Sequence, residues 1–185
     1  ARHMYRQYSE DDFNELLRLR RLLYPDYSGQ ELREEILAFF HHPHANPFRN
    51  YDLWTCFVYQ REHAGLGGFI DVGFVCADAY QERLAHFEGT DYFEQIHSFL
   101  SLGRPIPVVE SWYVDGDLRG EGIGAGLMCR AEQWVGKQGS PFILSDTDGF
   151  REASIRAHQS LGYVEYHTDR SGIKYFYKSL LQSAE

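Results

Sequence analysis

Residues 117–127 read Asp-Leu-Arg-Gly-Glu-Gly-Ile-Gly-Ala-Gly-Leu, with glycines at the alternate positions 120, 122, 124 and 126 ahead of an apolar, helix-prone run. Glycine lets backbone N–H groups approach an anion, and the amino end of a helix adds partial positive charge there. A strand-like run at 107–115 precedes the loop and a helical pattern over roughly 123–137 follows it. The segment therefore reads as strand, anion-binding loop and helix, a unit that belongs in an α/β fold. Two of the folds that use such loops fail on the rest of the chain. A P-loop needs a Gly-Lys-Ser/Thr ending to neutralise phosphates and hold magnesium, and the sequence contains none. Gly120, Gly122 and Ala125 formally satisfy the dinucleotide pattern with Asp146 beyond them, but Asp115-Gly116-Asp117-Leu118-Arg119 separates strand from glycines. Only one further helix follows Asp146, so a doubly wound sheet cannot be completed.

The remaining segments are read from periodicity and caps. Ser9 with Asp12 opens a helix carrying Phe13, Leu16, Leu17 and Leu23 on one face, and Tyr24-Pro25-Asp26 turns it off. Ser28 with Glu31 caps a second helix, with Leu32, Ile36 and Phe40, which stops before His42-Pro43. Segments 53–59 and 67–75 flank Gln60-Arg61-Glu62-His63 as an antiparallel hairpin. Residues 77–103 turn polar and helical; after the loop and its helix come a strand at 142–146, a helix at 151–161, and strands around 163–168 and 173–178.

At 185 residues and 43% hydrophobic content, the chain is expected to form one domain. It has no apolar run of membrane-spanning length, and Ala1-Arg2-His3-Met4 lacks the apolar core of a secretory signal, so a soluble, cytoplasmic protein is expected. Cys56, Cys76 and Cys129 are odd in number and widely spaced, which argues against a disulfide framework or a metal knuckle. Cys129 is read as structural. His41-His42-x-His44 has no evident carboxylate or cysteine partner, and no metal is expected. A net charge of −9, from 27 acidic against 18 basic residues, argues against a nucleic-acid surface and suits a cationic partner.

Arg119-Gly120-Glu121-Gly122-Ile123-Gly124 matches R/Q-x-x-G-x-G/A, and with its flanking strand and helix it resembles the central motif of the GNAT family of N-acetyltransferases. The carboxy-terminal Ser145-Asp146-Thr147, His158-Gln159-x-Leu161-Gly162-Tyr163 and Phe176-Tyr177-Lys178 resemble the aminoglycoside 6'-N-acetyltransferase branch, as does Leu23-Tyr24-Pro25 near the start. The resemblance implies the GNAT fold: α/β (α+β), a mixed and mostly antiparallel central sheet flanked by helices, here with an added, mainly helical segment around 77–105. It implies acetyl-CoA as co-substrate, a small cationic amine as acceptor and a possible homodimer, beside the charge and hydropathy that argue against a nucleic-acid or membrane partner.

The resemblance also implies roles. The N–H groups of Arg119, Gly120, Glu121, Gly122, Ile123, Gly124 and Ala125 would cradle the pyrophosphate. The main chain of Trp112, Tyr113 and Val114 would bind the pantetheine arm and supply a donor to the thioester oxygen. Glu110 and Asp146 would attract the acceptor's ammonium and take its proton, directly or through water. Asp71 would touch the acceptor as a lesser candidate, and Tyr24 would either flank a sugar ring of the acceptor or simply pack. His158 stands where many members place a tyrosine and would protonate the leaving thiolate or touch CoA. Ser154 would lie beside the pantetheine. Arg151 stands where an asparagine is common and Glu121 where an arginine is common. Asp78, Glu82, Glu88, Asp91 and Glu94, with Tyr80, Phe87, Tyr92, Phe93 and Phe99, read either as an acidic, aromatic flap over the acceptor or as an ordinary amphipathic surface.

The leading acceptor is the 6'-amine of an aminoglycoside, which would carry antibiotic resistance as a role; a housekeeping enzyme accepting such drugs incidentally would have the same activity. The alternatives are a polyamine, another small amine or a protein amino group, and, in another class, an acyl-CoA-binding protein without catalysis.

Overall fold

The computed structural model describes residues 4–41 and 50–181. His42 and His44 of the histidine-rich loop lie outside them. The strands are β1 (Tyr5–Gln7), β2 (Tyr51–Gln60), β3 (Leu66–Val75), β4 (Ile106–Val114), β5 (Phe142–Asp148), β6 (Val164–Thr168) and β7 (Ile173–Ser179). The helices are α1 (Phe13–Leu23), α2 (Gly29–Ile36), α3 (Ala77–Tyr80), α4 (Phe93–Ser101), α5 (Ile123–Lys137) and α6 (Glu152–Ser160). Hydrogen bonding orders the sheet β1-β2-β3-β4-β5-β7-β6. Pairing is antiparallel for β1 with β2, β5 with β7 and β6 with β7, and parallel for β4 with β5. The expected mixed sheet is present, and the segment after β3 is helical as read. Strand β1 was not foreseen. Among the described residues no helix is long and apolar enough to cross a membrane.

Contacts group the chain into two compact units. The first comprises Ala1–Arg49, Trp54–Val72 and Ser111–Ala131. In it the Ser9 N–H donates to Asp12 Oδ2 at 2.9 Å, closing the expected capping box, and Arg6 locks Asp12 at 2.6 and 2.8 Å. Ser28 Oγ accepts the Glu31 N–H at 3.0 Å. These caps aim Leu16, Leu19, Leu23 and Ile36 at Cys56, Val58, Leu66 and Phe69, forming one apolar core. Each fully buried leucine there contributes roughly 2 kcal/mol.

The second unit comprises Asn50–Leu53, Gly73–Glu110 and Glu132–Glu185. Its core joins Ile106 and Val108 of β4, Phe142 and Leu144 of β5 and Tyr177 of β7 to Tyr80, Phe87, Ile96, Phe99 and Leu100 from the segment after β3. That packing bears on the two readings of the segment. Tyr80, Phe87 and Phe99 are core residues, while Asp78, Glu82, Glu88, Asp91 and Glu94 face solvent. The stretch covers the sheet with an amphipathic face, and the rings of Tyr80, Phe87 and Phe99 are taken up by packing.

Candidate active site

The glycine loop lies in the first unit, held by charge at the end of β4. The Asp115 N–H donates to the Gly67 carbonyl at 2.8 Å, and its buried carboxylate accepts from Arg61 at 2.9 Å and Arg18 at 3.3 Å. Arg61 also grips Asp117 through two bonds of 2.8 and 3.0 Å. From this anchor the chain enters the loop, where the four glycines serve three ends. Gly120 and Gly122 have φ of 85° and 81°, a region side-chain-bearing residues rarely adopt, and a Cβ on either would meet no described protein atom within 4 Å. Gly124 lies against the Trp112 ring, whose Nε1–H donates to the Gly124 carbonyl at 3.0 Å. Gly126 leaves room for the Tyr5 phenol, with which a Cβ would collide. The helix's bonding begins with Gly126 N–H to the Gly122 carbonyl at 3.0 Å, so the N–H groups ahead of it have no helical acceptor. Open space, unclaimed donors and a helix amino end fit an anionic group such as a pyrophosphate.

Arg119 folds back from this loop. Its Nε donates to the Val114 carbonyl at 3.1 Å and its guanidinium lies 5.6 Å from the Tyr113 ring centre, leaving Arg119 to contribute to the loop through its main chain. Glu121 is exposed and Ile123 is buried. Tyr24 fastens the turn after α1 to β4, with its hydroxyl 2.5 Å from Ser111 Oγ.

Asp71 does not match the substrate contact read for it. It is fully buried and ion-paired with Arg20, itself 2% exposed, while Arg20 also donates to Glu35 at 2.5 Å. Burial works against the Arg20 charge, but Asp71 and then Glu35 outweigh it and hold the guanidinium protonated. Asp71 is a core counterion.

The second unit brings the two predicted carboxylates together. Val108 of β4 is registered opposite Leu144 of β5, so Glu110 and Asp146, each two residues further, share a face of the parallel pair. On its other side Asp146 is registered opposite Tyr175, and Tyr175 opposite His167. Water still reaches Asp146, yet surrounding protein strips enough solvation to push its carboxyl up to about 7, with Glu110 adding to the shift and Arg83 opposing it. Burial pushes the phenols of Tyr80 and Tyr175 up to about 12, keeping them as O–H donors near neutral pH. Tyr175 uses its hydroxyl on Asp169 at 3.0 Å. The sequence reading missed Arg83 and Tyr175, and named Tyr80 only among the aromatics of a possible flap. Tyr80-x-x-Arg83-x-x-His86 was the available signal, a three-residue repeat in a segment read for its acids and its aromatic rings.

His158 is a correction. It is 1% exposed, stacked on Phe176 at 4.6 Å, and held at both ring nitrogens. Nδ1 lies 2.8 Å from the Ser154 carbonyl, which can only accept, so the proton sits on Nδ1 and Nε2 accepts from Ser145 Oγ at 2.8 Å. Burial lowers its pKa, and a neutral ring locked in the core is not placed to protonate a thiolate or touch CoA. His158→Phe is expected to cost about 1–3 kcal/mol through the stranded Ser145 and Ser154 groups. Its kcat should stay within about threefold of wild type, because no proton moves through the ring. Thermal melts beside initial rates test this, and a large kcat loss at unchanged stability would restore the acid role. Ser154 is half-buried, and Arg151, just ahead of α6, pairs with Asp148 at 3.3 Å. Among the described residues no group of three or more His, Cys, Asp or Glu side chains could hold a metal ion.

Comparison with known proteins bears on this arrangement. The chain is 26% identical over 155 residues to aminoglycoside N(6')-acetyltransferase type 1 of Serratia marcescens, covering 84% of this chain and 87% of that one. It is 35% identical over 60 residues to the protein of the same name from Klebsiella aerogenes, a match spanning 32% of this chain and 40% of the relative. The solved structure of AAC(6')-Iy in complex with the bisubstrate analogue CoA-S-monomethyl-acetylneamine superposes with a TM-score of 0.61 at 21% identity, covering 89% of this chain and 92% of that one. The profile of the acetyltransferase (GNAT) family matches residues 16–163. With its α/β architecture, mixed seven-stranded sheet and strand–glycine loop–helix core, the chain belongs to the acetyltransferase (GNAT) family.

Proposed function

We propose that this protein transfers the acetyl group of acetyl-CoA directly to the 6'-amine of an aminoglycoside. The observation that carries the reading is the Glu110–Asp146 pair, in which Asp146 is pushed up to about 7 and so can exchange a proton near neutral pH. The loop from Arg119 to Ala125 would bind the pyrophosphate, and the main chain of Trp112, Tyr113 and Val114 the pantetheine arm. Asp146 takes a proton from the substrate ammonium, and the freed amine attacks the thioester carbonyl. The carbon–sulfur bond breaks as the amide forms, the second proton on the nitrogen passes to solvent, and CoA leaves as a thiolate that takes its proton from solvent. Glu110 keeps the acceptor's positive charge in place. The names of the Serratia and Klebsiella relatives support the aminoglycoside as acceptor, and the bisubstrate analogue bound to AAC(6')-Iy supports a CoA co-substrate.

Release of free CoA thiol across a panel of kanamycin-type aminoglycosides, polyamines, single amino sugars and a basic peptide tests the acceptor. Saturable turnover confined to aminoglycosides with a 6'-amine is expected. Turnover with the others alone would discard that acceptor and keep the reaction. The loop is tested separately. Gly122→Ala forces a side chain into a left-handed backbone, a strain of about 1–2 kcal/mol. Relaxing that strain would misaim the loop's N–H groups, so acetyl-CoA affinity by calorimetry should fall roughly tenfold. Unchanged affinity would remove the loop from CoA binding.

A further inference from the structure

Four residues form a row across one face of the second unit's strands: Glu110 on β4, Asp146 on β5, Tyr175 on β7 and His167 on β6. Over this face runs the 3₁₀ segment Gln81–Phe87 that follows α3. Three residues per turn bring Tyr80, Arg83 and His86 onto one edge of it. Tyr80, 2% exposed, fixes one end in the core with Val108 and Leu144. His86 fixes the other, its ring stacked on His167 at 4.2 Å and 11° and lying 4.8 Å from Tyr175. A bulge in β6 between Glu165 and His167 adds a further clamp, since Tyr166 stacks on Phe87 at 4.2 Å. Arg83 is held between these anchors, with its guanidinium 5.6 Å from the Tyr80 ring centre and within electrostatic reach of Asp146, Glu110 and Tyr175.

We propose that Arg83 is a specificity-determining residue: a tethered cation that balances one of the two carboxylates, so that the site accepts a single substrate ammonium at the Glu110–Asp146 pair and disfavours a second beside it. This rests on the reading of those carboxylates as the acceptor's. With both carboxylates ionised, Glu110, Asp146 and Arg83 together leave one net negative charge, which one ammonium neutralises, and Asp148 and Asp169 act on Asp146 more weakly than Glu110 and Arg83 do. Without Arg83 the pair would draw in a second cation, or hold the Asp146 proton to higher pH. Burial works against the Arg83 charge, yet Tyr80, Asp146 and Glu110 together outweigh it and hold the guanidinium protonated.

Arg83→Met removes the charge and keeps an apolar stem to lie over Tyr80; Arg83→Lys keeps the charge. Carbon-13 NMR of the Asp146 carboxyl and calorimetry with a kanamycin-type aminoglycoside and a single amino sugar read the effect. In the Met variant the carboxyl should titrate at higher pH, and the aminoglycoside should bind roughly tenfold tighter, the scale of one unit charge a few ångströms away in a partly wet site. The singly charged sugar, with one ammonium at the pair and none beside it, should also gain but by less, and the Lys variant should behave as wild type in every readout. An Asp146 titration unmoved in the Met variant, or parallel weakening of both ligands there, would overturn the proposal. The titration needs no turnover, so failure of the transferase reading and failure of this one are told apart.

Discussion

Asp146→Asn should lower kcat by about 10²–10⁴, the usual contribution of a positioned general base, while acetyl-CoA binding stays unchanged. Asparagine keeps the size and the oxygen but cannot take a proton. In the wild type, kcat/KM should rise through about pH 7 as Asp146 ionises, and the variant should lose that limb. Stability should move the opposite way. A carboxyl raised in the folded state is held protonated there, so its favourable contribution is complete below the ordinary carboxylate range and is lost as pH rises through about 7. Above that pH the wild type carries a poorly solvated charge beside Glu110 which the variant lacks. Because water reaches Asp146, the gain for the variant at pH 8 is on the order of 1 kcal/mol, after discounting for screening, and it should vanish near pH 4. Initial rates of thiol release and melts at the two pH values check both halves. A variant with full activity would remove Asp146 from proton transfer.

Arg20→Met is expected to have the largest effect on stability. It strands Asp71, which is fully buried, without its counterion, while Glu35 is only half-buried and can turn to water. Breaking one side of a buried pair typically costs about 3–5 kcal/mol, a large part of a domain's total stability. Adding Asp71→Leu should recover much of this loss, because two apolar side chains leave no uncompensated charge. Urea denaturation of the single and double variants separates these outcomes. A double variant no more stable than Arg20→Met would mean that the pair matters through shape.

Much of this was legible in the residues. The loop could be read because four glycines at alternate positions have few other uses between a strand and a helix, and α5 begins at Ile123 and ends at Lys137 as its pattern indicated. Glu110 and Asp146 could be paired because the family resemblance puts acidic residues at or near the ends of two adjacent strands, where the acceptor enters. Strand β1, three residues long, is too short to show a period. The partnership of Arg20 with Asp71, 51 residues apart in the chain, leaves no local trace. His158 misled because its place in a motif says nothing of its burial, and a core imidazole satisfied by a serine and a carbonyl reads the same as a catalytic one. The segment after β3 misled through its period. Its 3₁₀ turn over Gln81–Phe87 groups residues by threes, which sets Arg83 in line with Tyr80 and His86 while Glu82 faces water.

Where the acetyl group lands tests the central claim most directly. Acetyl-CoA and a kanamycin-type aminoglycoside are incubated with the protein, and the product is mapped by proton and carbon NMR. The account predicts one acetyl group, on the 6'-nitrogen, formed in step with CoA release. Acetylation at another nitrogen, or CoA binding with no transfer to any aminoglycoside, would contradict it.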